Sequence, residues 1–85
     1  MSAGPIWKGA ELATLGDLFG AAGQLTTPAE GQEFMRLYIA HLATNGVEKP
    51  ESVAFANIGY LARYGSDETF AHIQQMTGAQ HPIFG

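Results

Sequence analysis

PESVAFANIGYLARY, residues Pro50 to Tyr64, is apolar on nearly every side of a helical wheel and carries charge only near its ends, at Glu51 and Arg63. At about 100° per residue, Tyr60 and Tyr64 share a face with Val53 and Asn57, while Phe55, Ile58 and Ala62 cover the other. A helix with two apolar faces has no side suited to water. One face belongs to a core; the other is covered by the rest of the chain or by another protein. The stretch therefore predicts a helical bundle assembled around it and leaves open which face is inside.

Working outward, the chain reads as all-α: a compact bundle of four short helices with extended N- and C-terminal segments, in one domain over residues 1–85. The predicted spans are about 10–22, 28–44, 50–64 and 67–76. The first places Leu12, Leu15, Leu18, Phe19 and Ala22 on one arc, and Gly23 stops it. Gly16 and Gly20, one turn apart within it, are weak helix formers, which suggests that they admit a close backbone. The second opens at Thr27-Pro28-Ala29-Glu30, with Thr27 as cap, Pro28 in the first turn and Glu30 placed to reach back to the Thr27 amide. It closes at Asn45-Gly46, where Gly46 takes the left-handed conformation. The third starts at Pro50 with no good cap before it and ends against Gly65 in the terminating position. Ser66 then caps the fourth, whose Asp67 and Glu68 complement its dipole. The fourth buries Phe70, Ile73 and Met76 and turns Glu68, His72 and Gln75 outward. Beyond Gly78, Pro82 holds His81 extended, and Ile83 and Phe84 need cover.

An 85-residue chain supports one thin core. It has no cysteine, so packing alone holds it together, which suits a reducing cytoplasm. No apolar leader and no membrane-length apolar run occurs, and the expectation is a soluble, unprocessed protein. Only 14% of residues are charged while 46% are hydrophobic, with a net charge of −4. Sparse charge favours protein partners or self-association; a negative balance with scattered Lys8, Arg36, Lys49 and Arg63 disfavours nucleic acid.

Three histidines raise the question of a metal site, but His41, His72 and His81 fall in separate elements without ligand spacing, so no metal or other cofactor is expected. His41, near the apolar arc of the second helix, is expected to hydrogen-bond a carbonyl. The corner between the third and fourth helices suggests a helix-turn-helix, yet the would-be recognition helix from Asp67 to Thr77 holds acids and no Lys or Arg. No nucleophile elbow, phosphate loop or buried acid pair appears, and Glu30 and Glu33 are explained as cap and dipole complement. The chain does not read as an enzyme.

Asn57-Ile58-Gly59-Tyr60-Leu61, followed by Tyr64, an Asp-Glu-Thr helix start and the closing His81-Pro82-Ile83-Phe84-Gly85, is similar to small proteins of actinobacteria and their phages. The resemblance covers about residues 50 to 85. That group has no established activity and so transfers no catalytic residue. The resemblance implies that the HPIFG end belongs to the domain and that the chain is a phage or phage-related accessory protein, acting in a host cytoplasm or within a virion.

The expectation from the sequence is a non-enzymatic protein–protein interaction module that self-associates or docks a protein partner, with no membrane involvement. The expected contact residues are Trp7, Phe55, Ile58, Tyr60, Tyr64, Ile83 and Phe84, because aromatic side chains dominate interface hot spots. Its alternatives are a small DNA-associated regulator and a carrier of a small apolar ligand held between the second and third helices.

Overall fold

The computed structural model describes residues 4–79. Two short strands, β1 (Ile6–Trp7) and β2 (Ala10–Glu11), precede four helices, α1 (Leu15–Gly23), α2 (Pro28–Thr44), α3 (Pro50–Ala62) and α4 (Asp67–Thr77). The small all-α bundle is thus as expected, with an added N-terminal hairpin.

That hairpin corrects the predicted first helix, which was to begin near Ala10. Lys8 and Gly9 both adopt positive φ, 49° and 82°, as the central pair of a type I′ turn must. The turn folds Ala10 back on Trp7 and Glu11 on Ile6. The helix then starts late for a second local reason. The Thr14 hydroxyl accepts from the Asp17 amide at 3.0 Å, and the Asp17 carboxylate accepts from the amides of Ala13 and Thr14, each at 3.0 Å. This reciprocal capping box fixes the first helical residue at Leu15. Leu12 is still buried, but from an extended segment whose amide donates to the Pro5 carbonyl at 2.8 Å. Leu15, expected in the core, is 63% exposed and lies at the first turn of α1, outside the buried cluster.

The span of α2 matches its expected limits at both ends. Thr27 accepts from the Glu30 amide at 3.1 Å, whereas the Glu30 carboxylate turns to the Thr26 amide at 2.9 Å rather than to that of Thr27. Gly46 is left-handed, as anticipated. Helix α3 has no side-chain cap and stops at Ala62, two positions early. Tyr64 and Gly65 follow in a tightened turn, their amides donating to the carbonyls of Leu61 and Ala62. Gly65 is absent from the positive-φ residues. A side chain there would instead meet the Phe19 ring at 2.8 Å, so its smallness admits α1. Ser66 caps α4 through the Thr69 amide at 3.1 Å, and Gly78 closes it in the left-handed conformation.

One buried cluster draws on every helix. Ala54, Ile58 and Ala62 are fully buried, so the aliphatic face of α3 is the inner one. The opposite face divides: Asn57 donates to the Tyr38 hydroxyl of α2 at 3.0 Å, while Tyr60 and Tyr64 stay exposed. Across the bundle, Gly31 of α2 lies so close to the end of α4 that a Cβ would run into the Met76 carbonyl. The close backbone approach expected at Gly16 and Gly20 occurs here instead; Gly20 faces open space and Gly16 meets only the Thr14 hydroxyl, at 3.6 Å.

Candidate functional site: the Trp7 hairpin and its grooves

The turn at Lys8-Gly9 sets Trp7 on the bundle side of β1. Its ring stands edge-on to Phe34 of α2, with centroids 5.3 Å apart and planes at 82°, a favourable meeting of positive edge and negative face. Phe34 is 1% exposed and Trp7 only partly buried. The indole therefore joins the core on one side and solvent on the other.

Lys8 holds the hairpin from its tip. Its ammonium is ion-paired with Glu30 and lies 5.7 Å from the Trp7 ring centroid, within cation–π range. A lysine at positive φ is strained relative to Asn or Gly in that position, and these two contacts oppose the strain. Glu30 also accepts from the Thr26 amide and, at 3.3 Å, from its hydroxyl. The Lys8 hydrogen bond first, then the Thr26 amide, holds the Glu30 carboxyl below the ordinary glutamate range. One carboxylate thereby ties together the hairpin, the α1–α2 connection and the first turn of α2.

A groove opens on each side of this anchor. The first, about 470 Å³, lies between β2 and α1 and is bordered by Trp7, Lys8, Ala10, Glu11, Leu12, Gly16, Asp17, Gly20, Ala21 and Gln24. The second, about 640 Å³, lies between β1 and α2, with Ile6, Trp7 and Lys8 facing Ala29, Glu30, Glu33 and Leu37. Ile6 beside it is 53% exposed. Both linings mix apolar side chains with charged ones, a combination found at binding surfaces. Neither groove is lined by α3, where an apolar-ligand pocket had been anticipated.

Of the expected contact residues that fall within the described range, Trp7 alone lines these grooves. Ile58 is fully buried and belongs to the core, which removes it as a contact residue. Phe55 is partly buried and packs against the core, with its ring 4.0 Å from where a Gly78 side chain would begin. Tyr60 and Tyr64, 41% and 84% exposed, form a separate patch around the end of α3. Ile83, Phe84 and His81 lie outside the described residues.

The histidines exchange their expected roles. Partly buried His72 donates from Nε2 to the Leu25 carbonyl at 2.7 Å, locking α4 to the α1–α2 connection. At His41, Asn45 donates to the backbone carbonyl at 2.8 Å and to ring Nε2 at 3.2 Å, at the end of α2. Among the described residues no group of three or more His, Cys, Asp or Glu is placed to hold a metal ion, and no helix is long and apolar enough to cross a membrane.

Sequence reasoning missed Ile6, Lys8, Glu30 and Leu37 as groove residues. The available signal was Trp7-Lys8-Gly9-Ala10, a two-residue turn flanked by apolar residues, with Lys8 in place of the usual Asn or Asp. Comparison with models of known protein families, with curated protein sequences and with solved structures finds no match.

Proposed function

We propose that this chain is a non-enzymatic interaction module that docks a protein partner through the hairpin face. The observation that carries this reading is the half-buried Trp7, clamped against Phe34 and Lys8 between two open grooves, with Ile6 exposed beside it. A rigid indole that is already seated loses little conformational freedom on binding, which is why such residues anchor interfaces. Exposed Tyr60 and Tyr64 offer a second contact surface. An accessory role, with a host factor or a particle component as partner, follows if the C-terminal half is akin to actinobacterial and phage proteins.

The test is recovery of tagged wild-type and Ile6→Asp chains from cells. Wild type should retain a protein partner at near-equal molar amount, and Ile6→Asp should lose it while melting at the same temperature, since Ile6 lies outside the core. Equal retention by both chains would remove the hairpin face from the interface.

A further inference from the structure

The outer edge of β1 has hydrogen-bonding groups that its partner strand does not use. Leu12 donates to the Pro5 carbonyl at 2.8 Å, and the strands align Ile6 with Glu11 and Trp7 with Ala10. Hydrogen-bonded and non-bonded pairs alternate along an antiparallel ladder. Because Pro5 and Leu12 form a bonded pair, Ile6 and Glu11 form a non-bonded one, and the Ile6 N–H and C=O point away from β2. The larger groove is bordered on the hairpin side by Ile6, Trp7 and Lys8 and by no residue of β2, so this edge opens toward it.

A donor and an acceptor on one extended residue, beside apolar walls, suit the backbone of another extended chain. A helix offers no such match, because its amides are bonded internally. Charge narrows the occupant further. Lys8 is engaged by Glu30, and Glu33 on the opposite wall meets only exposed Arg36, loosely at 3.6 Å. The groove thus keeps negative character in a chain of net charge −4.

We propose that the groove between β1 and α2 receives an extended segment of a partner protein, added along the Ile6 edge, with an apolar side chain between Trp7 and Leu37 and a neighbouring lysine or arginine toward Glu33. This rests on the interaction reading above and specifies the occupant's backbone, polarity and charge.

Trp7 is the one tryptophan of the chain, so its fluorescence reports on the groove directly. The probe is acetyl-(Val-Lys)3-amide, titrated into the full chain at low salt beside acetyl-(Val-Glu)3-amide and a fully N-methylated Val-Lys peptide. The Val-Lys peptide should change Trp7 emission saturably, and charge reversal or N-methylation should weaken it about tenfold, the effect of roughly 1.4 kcal/mol. Ile6→Pro should weaken it equally: the lost N–H is the outward one, and proline is accepted on an outer strand edge. Leu37→Lys, on the helix wall, gives the same expected loss without touching the hairpin, and serves if Ile6→Pro does not fold.

No response to the Val-Lys peptide, or a response indifferent to N-methylation, to charge reversal or to both substitutions, overturns the proposal. A protein partner retained undiminished by Ile6→Pro and Leu37→Lys would also overturn it while leaving the interaction reading intact. Failure of wild type to retain any protein would sink the interaction reading itself.

Discussion

Where α4 meets α2, Gly31 lets the Met76 carbonyl approach the helix backbone, and Phe34, Met35 and Ile73 are each at most 2% exposed. On another side of α2 the hairpin meets the helix through one ring edge and one ion pair, with an open groove on either side, while Leu12 behind it is buried in the core. The first junction depends on apolar fit, which tolerates neither added nor missing volume. The second includes an exposed ion pair, which water and salt weaken. Stability therefore resides mainly in the shared core of the four helices, of which the α2–α4 contact is one tightly fitted part, and the hairpin is where open space could accommodate another molecule.

The comparison is tested hardest at Phe34, which takes part in both junctions. Phe34→Ala should cost about 3–5 kcal/mol, enough to leave a domain of this size close to unfolded at room temperature. A urea titration showing less than about 1 kcal/mol would mean that the core does not run through α2 as described. Gly31→Ala should follow, at about 1–3 kcal/mol or more, because its methyl meets a backbone carbonyl that cannot rotate aside. In that variant the emission of Trp7 should stay native-like at temperatures below the melting transition. A loss of stability accompanied by a large change at Trp7 would show that the two junctions are one.

These two glycine environments mark the limit of what the sequence discloses. Gly16 and Gly20 have helix-packing spacing but face the first groove, whereas Gly31 has no partner at that spacing and is the one pressed against another backbone. Nothing local separates the cases, since close approach is decided by which helices meet. Helix α2 was legible to the residue because Thr27-Pro28 and Gly46 act within their own turn. The hairpin was not: the apolar periodicity of Leu12, Leu15 and Leu18 continues across the Thr14–Asp17 capping box and masks it, and Lys8 is an unusual resident of a type I′ turn. The candidate site was read only as far as Trp7. Tyr64 looked equivalent to Tyr60 on a wheel, but it lies beyond the end of α3.

Gly20→Ala sharpens the same point with the opposite sign. A methyl there enters open space within a helix, so the variant should gain up to about 1 kcal/mol, raising the melting temperature by roughly 4–8 °C. A destabilised Gly20→Ala chain would indicate that α1 packs where the groove is described. Paired with Gly31→Ala, it gives two identical chemical changes with opposite expected outcomes.

The smallest expected effect isolates the ionic part of the hairpin junction. Glu30 is held below the ordinary glutamate range by Lys8 and then by the Thr26 amide, so the folded chain favours its ionised form. That contribution is complete above the unfolded value of about 4.3 and is lost as pH falls through it and then through the lower folded value. Trp7 emission should therefore shift in acid before the far-ultraviolet helix signal declines, and added salt should weaken the same contact at neutral pH. Glu30→Gln and Lys8→Met should each remove this early change while leaving the helix signal at neutral pH in place. If the early acid shift of Trp7 survives in both variants, the hairpin is secured without its ion pair, by Trp7 on Phe34 and by buried Leu12, and the strained lysine at its tip has another use.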